Sequence, residues 1–150
     1  MIYLASDHAG LELKTAIAAF LDKEGKAYTD IGPHEMDPLD DYPDFIIPAA
    51  QEVAKDSANL GIIFGGSGQG EALAANKVKG VRAALFYGGS HDIVELSKTH
   101  NNANILSLGA RFIDENEAIK VVKLWLDSTF VDEERHVRRL NKVSDFETNQ

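Results

Sequence analysis

A single glutamate, Glu71, closes a loop of four glycines and one serine in FGGSGQGEALAANKVKG, residues 64–80. Gly65, Gly66, Gly68 and Gly70 allow successive backbone N–H groups to turn inward, forming a nest for negative charge without a basic side chain. A carboxylate at the rim of such a nest suits proton abstraction beside a carbonyl. The base takes the proton while the N–H groups hold the developing enediolate oxygen. Glu71 also fits a simpler role, that of a first-turn carboxylate favoured by the helix dipole. The loop is not a P-loop, because no Gly-Lys-Ser/Thr follows. Nor is it a dinucleotide fingerprint, because Glu71 stands where a frame begun at Gly66 would need its third glycine.

Other segments offer partners for this chemistry. SDHAG delivers Asp7 and His8 at the end of the first apolar run. Asp7 suits a helix N-cap as well as a site, whereas an imidazole beside a helix N-terminus can contact an anionic or hydroxylated ligand. FYGGSHD is a second glycine turn, with His91 at a helix start. KTHNNANILSLGAR carries His100, Asn101 and Asn102 before an apolar run and Arg111 after it, a set suited to hydroxyl recognition and proton transfer. In ERHVRRL, Arg135 and Arg139 stand four residues apart on one helical face. A solvated helix with salt bridges to Glu133 and Glu134 accounts for them, as does a bidentate grip on a phosphate monoester. Three of the five arginines fall in this one run.

The elements that must hold these residues are legible as apolar runs separated by amphipathic stretches. Runs at 2–5, 60–65, 81–86 and 104–109, with a weaker one at 27–31, predict five strands in parallel βαβ units. LELKTAIAAFLDKEG puts Leu11, Leu13, Ile17, Phe20 and Leu21 largely on one helical face, with Gly25 as its stop. Further helices are expected at 43–55, 70–77, 90–99 and 115–127. A charged C-terminal helix is expected over about 133–146, with the tail after it frayed. The Pro- and Asp-rich segment 32–44 is the one long irregular connection. In an open parallel sheet, ligands bind beyond the carboxyl ends of the strands, so this loop and the others that follow strands can join the site.

Bulk composition narrows the function. The chain has 150 residues, 44% of them hydrophobic, which fits one domain over 1–150. A net charge of -9 and a pI near 4.9 argue against a nucleic-acid backbone binder. The absence of cysteine excludes disulfides, thiolate metal sites and cysteine nucleophiles. No run approaches the roughly 18 apolar residues of a membrane span. A soluble cytoplasmic protein is expected, with neither a membrane nor a nucleic acid as partner.

SDHAG, DYPD, GGSGQGEALAANKVKGVRA, HNNAN, LGAR and RHVRR, in this order and spacing, closely resemble the ribose-5-phosphate isomerase B family, related to the galactose-6-phosphate isomerase subunits. The resemblance runs from residue 2 to about 145. Its most specific element is GxGxGxxxAANKxxGxRA, here Gly66 to Ala83. It implies a Rossmann-like three-layer α/β/α sandwich with a five-stranded parallel sheet, working as a homodimer, or as a tetramer, with active sites between subunits. It also implies interconversion of ribose 5-phosphate and ribulose 5-phosphate through a cis-enediolate, in the pentose phosphate pathway, without metal or organic cofactor. By resemblance, Asp7 and His8 line the site, and His100 opens the sugar ring with help from Ser67. The N–H groups of Gly66 to Gly70 hold the enediolate with Asn101 nearby. Arg135 and Arg139, with His8, bind the phosphate, and Tyr42 and Arg111 match site-lining positions. Many members carry a cysteine base at the position of Gly65. This chain resembles the subgroup in which a glutamate at the Glu71 position is the base. The same chemistry on allose 6-phosphate, galactose 6-phosphate or a tetrose phosphate is the alternative within the enzyme class. A non-catalytic sugar-phosphate binding protein is the alternative outside it.

Overall fold

The computed structural model describes residues 1–150. Five strands, β1 (Ile2–Ser6), β2 (Tyr28–Gly32), β3 (Leu60–Gly65), β4 (Ala83–Phe86) and β5 (Ile105–Gly109), form one sheet in the order β2-β1-β3-β5-β4. Every pairing is parallel. The helices are α1 (Leu11–Lys23), α2 (Pro43–Ala54), α3 (Gln69–Ala75), α4 (Asp92–Thr99), α5 (Glu115–Asp127) and α6 (Glu134–Thr148).

The central strand β3 reads as an unbroken apolar run because both faces of the sheet are covered, whereas the edge strand β2 carries Thr29 and Asp30. Leu4, Ile62, Phe64, Leu106 and Leu108 pack with Leu13, Ile17 and Leu21 of α1, Val94 of α4, and Val121, Val122 and Trp125 of α5. On the opposite face, Ala5, Ile63 and Ile105 pack with Ile46, Ala49, Ala50 and Val53 of α2, and with Ala74 and Ala75 of α3. The fold is therefore the Rossmann-like α/β/α sandwich that the resemblance implies, built from the parallel βαβ units that the alternation predicts.

Element boundaries shift where side chains take over backbone hydrogen bonds. β4 starts at Ala83 rather than 81, because Asn104 Oδ1 accepts from the Arg82 N–H (2.7 Å) and Asn76 Oδ1 from the Ala83 N–H (2.8 Å). α1 stops as expected at Gly25, φ +66°, with the Lys26 N–H donating back to Leu21 O (2.9 Å). α6 extends to Thr148, just past the boundary near 146 that the pattern suggests. Asn149 ends it, donating from its backbone N–H to Asp145 O and Phe146 O and from Nδ2 to Asp145 O, while Glu147 Oε2 accepts from the Gly80 N–H at 2.9 Å.

Two lysines, Lys14 and Lys98, are buried. Lys14 donates from Nζ to Asp30 Oδ1 and Pro33 O, both at 2.6 Å, pinning the start of the irregular 33–42 connection. Lys98, 8% exposed, donates to Ala103 O (3.1 Å) and lies 4.2 Å from the Trp125 ring centroid. Burial first, then the Arg82 charge, lowers the Lys98 pKa to about 8. Between that value and the 10.5 of the ordinary side chain, the unfolded chain binds more protons than the folded one. Stability from this group therefore rises with pH across that window, by about 3 kcal/mol in all. Lys98→Met is expected to remove this part of the rise. Urea midpoints of both proteins at pH 7.5 and pH 10 measure it, and an unchanged difference between the two pH values would contradict it.

Candidate active site

The order of the sheet decides which loops meet. Neighbours β1 and β3 carry their connections away in opposite directions, to β2 on one side and toward β5 and β4 on the other, which opens a crevice at their carboxyl ends. Ser6 pairs with Phe64, so Asp7–His8 and Gly66–Gly70 emerge side by side. Gly65 pairs with Gly109 on the next strand, and the Arg111 N–H donates to Gly66 O (3.0 Å), which adds Arg111 to the same edge. The resulting cleft of about 260 Å³ is lined by Asp7, His8, Ala9, Tyr42, Gly66, Ser67, Gly70, Glu71 and Arg111.

Glu71 is 4% exposed. Its carboxylate occupies the space that a side chain at residue 65 would fill: a β-carbon on Gly65 would overlap Glu71 Cδ and both carboxylate oxygens. Desolvation is the main cause that raises its pKa. The charge of Asp7 acts in the same direction, and its own backbone N–H opposes both. The group is thus moved from an ordinary surface carboxyl toward a base that works near neutrality.

The glycine loop beside it is built to accept a negative oxygen. Gly68 takes φ +75°, which turns the chain into α3, and Ser67 Oγ accepts from the Gln69 N–H (3.3 Å). The backbone N–H groups of Gly66, Ser67 and Gly68 donate to no other group of the chain. Unengaged donors beside a buried carboxylate are the arrangement that an enediolate requires. Tyr42 packs against Gly70 and the Arg111 guanidinium against Gly66, where β-carbons would come within 2.8 Å and 3.1 Å of them.

Asp7 does cap a helical turn, its Oδ1 accepting from the Gly10 N–H (3.0 Å), and it also lines the cleft. The two readings are compatible. His8 is held by Asp40, a residue that the sequence analysis did not single out. Asp40 Oδ1 lies 2.6 Å from His8 Nδ1 and accepts from the His8 backbone N–H at 3.1 Å. The only hint of Asp40 in the sequence was its place in the acidic loop after a strand. Asp7, His8 and Asp40 also bring potential metal-ligating atoms within 4.8 Å of one another. The 2.6 Å separation of His8 Nδ1 and Asp40 Oδ1 is that of a direct hydrogen bond between the two side chains.

His100, Asn101, Arg135 and Arg139 are not in this cleft. His100 ends α4 and leads toward the amino end of β5, at the sheet edge opposite to Asp7 and Glu71. Five strand residues separate the two edges, roughly 16 Å. At its own edge, His100 stacks on His136 (ring centroids 4.3 Å apart, 30° between planes). Asn101 and Arg139 line a separate hollow with Arg82, Leu140 and Val143. Arg135 pairs with Glu133 (2.9 Å) and Arg138 with Glu134 (2.7 Å), the surface salt bridges that charge patterning offered as the simpler account. Arg82, also unassigned from sequence, donates from Nε to Asn102 O (2.9 Å) and fixes the backbone of this loop. His91 starts α4, Nε2 lying 2.7 Å from Glu117 Oε1.

Comparison with known proteins agrees with this geometry. Residues 2–143 match the family model described as Ribose/Galactose Isomerase. The chain is 41% identical over 146 residues to ribose-5-phosphate isomerase B of Mycolicibacterium paratuberculosis, covering 97% of this chain and 91% of the relative. It is 44% identical over 147 residues to a probable ribose-5-phosphate isomerase B of Mycoplasma genitalium, covering 97% and 95%. Among solved structures, ribose-5-phosphate isomerase B from Mycoplasma genitalium with bound ribulose-5-phosphate superposes with a TM-score of 0.94 at 43% identity, covering 99% of this chain and 97% of that one.

Proposed function

The chain belongs to the ribose/galactose isomerase family, and we propose that it interconverts ribose 5-phosphate and ribulose 5-phosphate with Glu71 as the base. The observation that carries the reading is the buried Glu71 carboxylate beside three unengaged N–H groups of the glycine loop. In the aldose-to-ketose direction, Glu71 removes the proton from C2 and the electron pair moves to the C1 oxygen. The donors at Gly66 to Gly68 hold that oxygen as the cis-enediolate forms. A proton passes from the C2 hydroxyl to the C1 oxygen, so that C1 gains its hydroxyl as C2 becomes the carbonyl, and Glu71 returns the abstracted proton to C1. Its raised pKa keeps the transfer reversible. Ser67 and Asp7 lie where the sugar hydroxyls would contact them, and Tyr42 and Arg111 bound the cleft.

A complete site needs a second copy, because His100, Asn101, Arg135 and Arg139 stand at the opposite sheet edge. In the dimer that we propose, the partner's copies of these residues open the sugar ring and grip the phosphate. The C-terminal helix supports this reading: His136 is its one buried residue, and Val143 and Phe146 are 58% and 68% exposed. No helix is long and apolar enough to cross a membrane, and the cytoplasm is the compartment that we assign. The substrate pair belongs to the pentose phosphate pathway.

Incubation with ribose 5-phosphate in D2O, followed by NMR, tests the reaction. Ribulose 5-phosphate should form with solvent deuterium entering the sugar, whereas binding without exchange would overturn the reading. Shared sites make a separate prediction. A Glu71→Gln chain and an Arg135→Ala/Arg139→Ala chain, each inactive alone, should recover about a quarter of native activity after subunit exchange, since half the dimers then hold one intact site. Mixed dimers without recovery would refute the shared site.

A further inference from the structure

Asp40 comes from the long connection after β2 and stands behind the cleft, its side chain hydrogen-bonding to His8. One of its oxygens, Oδ1, meets both the His8 backbone N–H (3.1 Å) and His8 Nδ1 (2.6 Å). This double contact fixes the ring relative to its own backbone and keeps a proton on Nδ1. The other ring nitrogen, Nε2, is then the one left for a ligand in the cleft that His8 lines. The Asp40 side chain is 6% exposed, and its second oxygen is buried without a hydrogen-bond partner. A carboxylate so far from water requires a neighbouring positive charge. The nearest is His8 itself.

We propose that Asp40 is a positioning residue that holds His8 as an imidazolium with Nε2–H directed at the phosphate of the bound sugar, making phosphate anchoring depend on the Asp40–His8 pair. The proposal rests on the sugar-phosphate reading given above. Other charged groups that face His8 are Asp7, which favours the protonated ring, and Arg111, which opposes it together with burial. The Asp40 hydrogen bond outweighs these, and the His8 pKa is raised. His8 therefore keeps its charge to a higher pH than an ordinary histidine, and loses it as pH rises through that higher value. A positive anchor is thus available at pH values where the phosphate monoester is a dianion.

The test compares native protein with Asp40→Asn and Asp40→Glu. NMR titration of the His8 ring nitrogens should show a lower pKa in Asp40→Asn and a return toward the native value in Asp40→Glu. Binding of inorganic phosphate should weaken about tenfold in Asp40→Asn, as expected when a charge-assisted hydrogen bond becomes a neutral one. KM for ribose 5-phosphate should rise by a similar factor, begin its alkaline increase at lower pH, and change more than kcat. Unchanged His8 titration in a folded Asp40→Asn protein, or a fall in kcat with KM and phosphate binding intact, would overturn the proposal. If phosphate binding weakens as expected but native protein does not isomerise ribose 5-phosphate, the Asp40–His8 pair stands and the substrate assignment falls.

Discussion

Glu71→Gln is expected to lower kcat for ribose 5-phosphate by about 10²- to 10⁴-fold, the contribution of a positioned general base. The amide keeps the size and shape of the side chain, so the packing against Gly65 persists and only the ability to take a proton is lost. Sugar-phosphate binding should therefore survive, separating this variant from those that disturb the phosphate grip. The pH dependence has a definite sign. Glu71 must be ionised to act, its pKa is raised chiefly by desolvation, and turnover falls as pH drops through that raised value. The acid limb of kcat/KM should thus lie closer to neutrality than an ordinary carboxylate would place it. Stability runs the other way. A carboxyl whose folded pKa exceeds its unfolded one destabilises the folded state above the unfolded pKa, because the charged form is better solvated in the open chain. The Gln variant should accordingly have a Tm equal to or above native at pH 7.5. A fully active Gln variant would remove Glu71 from the mechanism, and a lowered Tm would contradict the desolvation argument.

Gly65→Ala should be nearly as damaging, without touching a chemical group. Residue 65 sits at the end of β3, paired with Gly109, with its carbonyl accepting from the Ala110 N–H at 2.8 Å, so the backbone cannot retreat. The added β-carbon would overlap the Glu71 carboxylate and drive it from its position. A displacement of about 1 Å costs on the order of 10²-fold in rate, and overpacking costs about 1–3 kcal/mol. The overlap also bears on the resemblance to isomerases with a cysteine at this position. A side chain at 65 and a glutamate at 71 compete for one volume. Gly65→Cys should therefore be destabilised and inactive, and adding Glu71→Ala should restore its Tm by relieving the overlap. Thermal melts of the two single variants and the double variant form a mutant cycle. Simple additivity of the two changes would show that the positions do not compete.

The strands, the helices and the glycine loop were legible because each is written in local periodicity. Ile62–Phe64 is apolar without interruption, and Ile105–Leu108 is apolar but for the buried Ser107, because helices cover both faces of the sheet, and the loop from Gly65 to Gly70 announces a turn by its composition. Glu71 could be singled out for the same reason, since its neighbours in sequence are its neighbours in the site. Asp40 could not, because its partner lies 32 residues away and no spacing rule connects two loops. The burial of Lys14 and Lys98 likewise depends on partners from other segments or elements, Asp30, Pro33, Ala103 and Trp125. Local pattern reports how a residue faces its own helix or strand, not which loops a sheet order brings together. The order β2-β1-β3-β5-β4 sets Asp7 and His8 beside Glu71, and the parallel direction of β5 sends His100 and Asn101 to the far edge. The sequence thus determined which residues could perform the chemistry, while the tertiary structure decided which of them one chain can assemble.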